Sequence, residues 1–469
     1  MVGRRYTLAQ LPPDAIRYGD PDGSEDMMDT QAMTAVDRFG LGRRGTEPLP
    51  DDPQGWLRDQ LTGPDRIIFP TTLGTSADGL RALHAQRMQK LPGNPLVKPL
   101  LDAEASAQLG ALLATDQPFR ERLVWFWANH FTVSIRQGGT QAVVGPYIRE
   151  AIRPHVTGRF ADMLLAVMRH PAMLLYLDNA GSVGPNSPAG LRSHRGLNEN
   201  LARECLELHT VSPAAGYAQA DVTSFAAILT GWSVDMNATE PGFVFRPRAH
   251  EPGPKTLMGR TFPEGEDGGV QALAFLGTHP ATYRHIATQL AVHFVSDTPP
   301  PSVVAALATA LVRSDGDLGA VSRALVTQRA AWMPRTKFRT PWDYTVAALR
   351  ALDLGARSSE DAAPPDPDHT PGHLLRAAMA FLGQPVWTAP LPNGWSDRAA
   401  DWAQPADIMA RTDWAYRLSA HATNVDPVAI AEAVLGAAAP SRTMTAIHHA
   451  GSRQDGLTIL FSSPEFQRR

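Results

Sequence analysis

A chain of 469 residues, 43% hydrophobic and 19% charged, is long enough for several packed layers and too apolar for a disordered polypeptide. Its 43 basic and 47 acidic side chains leave a net charge of −4, which excludes a broad basic footprint for nucleic acid. A single cysteine, Cys205, excludes an internal disulfide and any zinc site built from several thiolates.

The N-terminal stretch Met1 to Gln10 has an arginine pair but no apolar run behind it. No signal peptide is read there, so the cytoplasm is the expected compartment, with export open if a leader is missing. No segment approaches the roughly 18 apolar residues of a membrane span. Residues 1–60, rich in Asp, Gly and Pro, read as an N-terminal arm.

A central helical core is expected over 61–235. It holds an Ala/Leu-rich helix over 103–113 and a strongly apolar one over 119–133. Pro146 suits the first turn of another helix, and Pro154 should end it. Residues 158–177 read as helical with a break at His170-Pro171. Asn198 can cap a helix running to Thr210, and Pro213 forbids its simple continuation. A further helix is expected over 220–230.

Residues 236–262 change character. Gly242–Phe245 and Lys255–Gly259 read as short β pieces of one hairpin. A second helical layer follows over 263–354, then an Asp/Pro-rich linker over 355–371. A helical C-terminal region, 372–469, is interrupted by Pro390–Trp395. The fold class is all-α, a large multi-helical body with a small β-hairpin insertion.

Polar and aromatic residues are densest between Arg120 and Trp232. On a helical projection, Leu197, Leu201, Cys205 and Leu208 share an apolar face, with Asn200, Arg203 and Glu207 opposite and Glu204 at the border. Arg203 and Glu207 are four apart and can pair, so a solvated ion-pair face is one reading. In the other, this face meets further polar groups as a site. His130, Glu204 and Glu207, with His250 from elsewhere, would then offer ligands for one divalent transition metal. Glu204, Arg203 and His130 would supply acid–base groups. Arg192, Arg195, Asn198 and Asn200, around the N-terminus of the central helix, would hold a small polar or anionic substrate. A third reading is a non-catalytic binding or assembly protein. There the polar set is a structural network, and Trp395 and Trp402 mark an exposed partner surface.

Several ordered motifs resemble one large bacterial family, called domain of unknown function 1800, over residues 30–469. They are Trp127-Ala128-Asn129-His130-Phe131, Arg149 to Pro154, His170 to Asn179, Asn198 to Glu204, Asp221-Val222 and Leu229 to Trp232. His250, Lys255 and Gly259, then Ser463-Pro464-Glu465-Phe466, complete the set. The resemblance implies no particular activity. It adds Lys255 to the candidate substrate-binding residues, and it implies export of many members and a sulfatase-like partner protein. The chain departs at Ala218, where relatives carry Thr or Ser, and at His209, where they often carry an aromatic residue.

Overall fold

The computed structural model describes residues 25–193, 195–354, 370–436 and 439–469. Most of the expected linker, with Asp366, Asp368 and His369, lies outside the described residues, as do His194 and the arm up to residue 24. The described residues form 21 α-helices and two small antiparallel sheets, so the molecule is mostly helical. None of these helices is long and apolar enough to cross a membrane.

Proline starts many of the helices, among them Pro118–His130, Pro280–Phe294, Pro341–Ala351 and Pro371–Phe381. At the first helical position its missing N–H costs nothing and its fixed φ suits the turn. The break at His170-Pro171 is present, between helices Phe160–Arg169 and Pro171–Tyr176. There His170 Nδ1 accepts from the Ala172 N–H and caps the second helix.

The β insertion is two hairpins rather than one. Strand β1, Trp232–Asp235, pairs with β2, Gly242–Phe245. Strand β3, Lys255–Leu257, pairs with β4, Arg260–Phe262. The reason is local. Met258 and Gly259 both have positive φ, 48° and 78°, which makes a two-residue turn that folds β3 onto its immediate neighbour. Gly242–Phe245 is left to pair backwards with Trp232–Asp235.

Asp221 ties this insertion to helix Gln219–Leu229. Its Oδ1 accepts from the Met258 N–H at 2.6 Å and its Oδ2 from the Ala218 N–H at 2.8 Å. Ala218, at the exposed N-cap, has no oxygen to complete the reciprocal bond. Ala218→Ser is therefore expected to add roughly 1 kcal/mol of stability, read as a higher unfolding midpoint; a lower midpoint would contradict this account.

The central helix departs from the projection. It is α-helical over Asn200–Glu204 and widens to a π turn over Cys205–His209. Buried pairs then recur every fourth residue: Leu201-Ala202, Cys205-Leu206, His209-Thr210. The wide turn carries His209 into the core in the place a regular helix would give Leu208. Thr210 Oγ1 bonds the Cys205 carbonyl at 2.6 Å and holds that turn.

Two apolar cores meet at one helix. The larger contains Phe39, Phe119, Trp127, Phe131 and Phe294; the smaller contains Tyr344, Trp414, Phe461 and Phe466. Helix Pro341–Ala351 is buried along its whole length and feeds both, with Val346 and Leu349 to the first and Ala347 and Ala348 to the second.

A tryptophan-walled cavity as candidate functional site

Helix Pro118–His130 places Trp125 and Asn129 one turn apart on one face. Against that face runs the segment 384–397. Asn129 acts as its clamp: Oδ1 accepts from the Trp395 N–H and Nδ2 donates to the Trp395 carbonyl, both at 2.8 Å. Gly394 makes this approach possible. Its φ is +72°, and a Cβ there would lie 2.5 Å from the Asn129 carbonyl oxygen. Trp387, in the same segment, holds a φ of +54°. For a bulky residue this is a strained backbone, which persists only where the surroundings enforce it and which clusters at functional sites.

These elements enclose a cavity whose walls include Trp125, Phe126, Trp342, Trp387 and Trp395. The space between the lining atoms measures about 730 Å³, counting the solvent at its mouth. Trp125 and Trp342 form one wall, with ring centroids 6.1 Å apart. Behind Trp342 the Arg122 guanidinium stacks at 5.3 Å and donates to Asp343 Oδ1 at 2.6 Å. Arg469 Nε donates to the other Asp343 oxygen at 2.9 Å. Burial alone would push the Asp343 carboxyl up, but the two guanidinium groups outweigh it and hold the group well below the usual carboxylate range.

At the end of helix Pro280–Phe294, the His293 Nδ1 lies 2.9 and 3.0 Å from the two oxygens of Asp397. Burial pushes the imidazole down despite the neighbouring carboxylate, and Arg469 and Arg122 add to the shift. His293 is therefore neutral at pH 7. Since a carboxylate only accepts, its proton sits on Nδ1. The other ring nitrogen, Nε2, is buried with no hydrogen-bond partner among the described residues, and so are Trp342 Nε1 and Trp387 Nε1. All three side chains line this cavity.

An adjoining cleft shares Phe126, Asn129, Trp395, Ser396 and Asp397 with the cavity and continues to His130 and His285. The His130 ring centroid is 6.0 Å from that of His209 and 6.1 Å from that of His285. His130 Nε2 bonds the His209 carbonyl at 3.2 Å, and His285 Nε2 the Leu208 carbonyl at 2.9 Å. His209 is fully buried, and among the described residues both its ring nitrogens are unpartnered. Burial, then His285, pushes it down to about 3. Burial likewise holds His130 well below its usual value, with His209 and His285 adding to the effect.

The residues singled out from the sequence are dispersed among several clusters. Arg203 bonds Glu199 at 2.8 Å and Gln219 at 3.2 Å, and not Glu207. Glu204 is half-buried beside Glu207, and burial and that neighbouring carboxylate raise it. Arg192 and Arg195 are exposed, as is Asn200, whose N–H bonds Asn198 Oδ1. His250 is fully engaged elsewhere. Its Nδ1 bonds the Thr230 carbonyl at 2.8 Å, while Nε2 meets Lys255 Nζ at 2.9 Å and the Gly265 N–H at 3.0 Å. Lys255 is thus buried in the hairpin, with its Nζ on His250. The expected metal set of His130, Glu204, Glu207 and His250 does not assemble. Among the described residues no three His, Cys, Asp or Glu side chains form a group that could hold a metal ion. Trp402 is buried and Trp395 half-buried, their centroids 5.9 Å apart; Trp395 lines the cavity, and the pair does not form an exposed surface. Cys205 is buried, and burial pushes its thiol up, away from the reactive thiolate.

A family model described as "Protein of unknown function (DUF1800)" matches residues 34–468. The chain belongs to the DUF1800 family. No curated protein and no solved structure matches it. Within this DUF1800 chain, sequence reasoning reached Trp125 to His130 as a dense segment and Trp395 as an aromatic candidate. It missed His293, Trp342, Trp387 and Asp397. The available signal was modest: tryptophans at 342, 387, 395 and 402 gather in the last third of the chain.

Proposed function

We propose that this chain binds and acts on a neutral small molecule, one that carries a ring and hydrogen-bond acceptors, in the tryptophan-walled cavity. One observation carries the reading: three buried, unpartnered nitrogens belong to side chains that line one space. Leaving a buried N–H unpaired costs about 1–3 kcal/mol, and native folds usually supply a partner. Aromatic walls with a few polar groups are the ordinary make-up of a small-molecule site. Charge argues for a neutral ligand. Asp343 is already paired by Arg122 and Arg469, Asp397 bonds His293, and Lys337 Nζ donates to the Asp397 carbonyl. The Arg203–Glu204 face has less support, since Arg203 is half-exposed and already paired.

The test is calorimetric titration with indole, cyclohexanone, a pyranose sugar and δ-valerolactone, with choline as the cationic control. At least one neutral ring is expected to bind. Trp387→Phe, which keeps a ring but deletes the N–H, is expected to weaken that binding about tenfold, the equivalent of about 1.4 kcal/mol. Binding of choline alone, of no ring, or equal binding by the variant would overturn the reading.

A further inference from the structure

We propose that His293 and Asp397 are a proton-transfer pair, with His293 Nε2 taking a proton from a carbonyl-bearing ring compound held in the cavity. This rests on the cavity being a ligand site. The two residues are 104 positions apart, yet the imidazole Nδ1 faces both carboxylate oxygens at hydrogen-bond distance. A carboxylate in that position fixes the tautomer with the lone pair on Nε2, and it stabilises the imidazolium once a proton arrives.

Both partners are held from behind. The His293 carbonyl accepts from Arg469 Nη2 at 2.9 Å, and the Asp397 carbonyl from Lys337 Nζ at 2.6 Å. Phe126 and Phe294 pack on the imidazole with centroids 5.2 and 4.7 Å away. The ring therefore cannot turn to another partner without repacking. The charged groups around it are Asp397, Arg469, Arg122 and Asp343. Of these only Asp397 touches the imidazole nitrogen.

The orphan indole N–H groups of Trp342 and Trp387 supply the complementary half. A base paired with hydrogen-bond donors suits removal of a proton next to a carbonyl. The C–H bond breaks, its proton forms the Nε2–H bond, and its electron pair moves onto the carbonyl oxygen, where the N–H donors stabilise it. Return of the proton from Nε2 to carbon regenerates the neutral imidazole, so no oxidant or reductant is needed. Asp397 acts as a positioning residue for this step.

Two measurements decide the matter. First, nitrogen NMR of ligand-free protein with ring-labelled histidine, assigned with His293→Gln, is expected to show His293 as the neutral Nδ1–H tautomer. Asp397→Asn, whose amide can donate to Nδ1, is expected to shift it toward Nε2–H. Second, cyclohexanone in D2O is expected to gain deuterium beside its carbonyl at least tenfold faster with the wild type than with His293→Gln. Asp397→Asn is expected to fall between them. An Nε2–H tautomer in the wild type, or exchange indifferent to His293→Gln, overturns the pair. The nitrogen spectrum needs no ligand, so an Nε2–H result sinks the pair even where rings bind. Absence of ring binding sinks the reading of the cavity instead.

Discussion

Replacing Asp343 with alanine is expected to cost about 3–5 kcal/mol of stability, the range for removing one partner of a buried ion pair. Asp343 is 3% exposed and bridges two buried guanidinium groups, Arg122 at 2.6 Å and Arg469 at 2.9 Å. The variant leaves both cations in a low-dielectric interior with backbone carbonyls as hydrogen-bond acceptors, Gly40 for Arg122, Arg38 and His293 for Arg469, and the Trp342 ring beside Arg122. That imbalance, not the Coulomb energy of the native triad, sets the size of the loss. Arg122→Met in the Asp343→Ala background removes one stranded charge and is expected to recover part of the stability. Urea unfolding of the three proteins measures this. A loss below about 1 kcal/mol for Asp343→Ala would place these groups in contact with water and contradict the packing described above.

Acid is expected to unfold this protein early, from just below pH 6.5. His130 and His209 are held neutral by burial, with folded pKa values below the ordinary 6.5 and His209 down at about 3. Well above pH 6.5 neither state of the chain protonates them, so they contribute no slope there. Below it the unfolded chain binds protons that the folded chain refuses, and stability falls as the pH falls. The limiting slope is about 1.4 kcal/mol per pH unit for each locked histidine, and His209 alone removes roughly 1.6 kcal/mol between pH 6.5 and pH 5, with His130 acting in the same direction. Asp343 acts in a lower window. Its folded pKa is depressed, so its contribution is present above the ordinary carboxylate value and is lost only as the pH falls below it. Stability followed by denaturant unfolding from pH 8 to pH 4.5 should show the histidine slope first. His209→Phe should flatten it by one proton's worth; an unchanged slope would mean that His209 protonates freely in the fold.

The helices were largely legible because their signals are local. Proline at the first turn announces Pro280–Phe294 and Pro341–Ala351, and His170-Pro171 marks its break. The hairpins were legible only as β pieces. The pairing of Trp232–Asp235 with Gly242–Phe245 depends on the tight Met258-Gly259 turn removing the competing partner. The central helix misled the face-by-face reading because a π turn at Cys205–His209 changes the period in mid-helix. A projection at a fixed angle per residue cannot represent that.

The candidate site was the least legible part. Glu204 and Arg203 look like chemistry because they are charged and close in sequence, but they lie on a half-exposed face where Arg203 already pairs with Glu199. The unpaired nitrogens on side chains that line the cavity belong instead to a histidine and two tryptophans far apart in the chain, joined only by tertiary packing. Nothing in the spacing of His293 and Asp397 announces their contact. The residues that were within reach, Asn129 and Trp395, are those whose neighbours in sequence are themselves unusual: an aromatic run and a Pro-Gly turn.

The most direct test of the cavity as the working site is the indole N–H spectrum of nitrogen-labelled protein, titrated with the neutral ring that binds best. Signals of Trp342 and Trp387, assigned with their phenylalanine variants, are expected to move downfield to saturation as their orphan N–H groups gain an acceptor. Trp414, in the second core, should stay in place. Saturable ring binding that leaves both Trp342 and Trp387 unmoved would contradict the account and place the ligand elsewhere on the molecule.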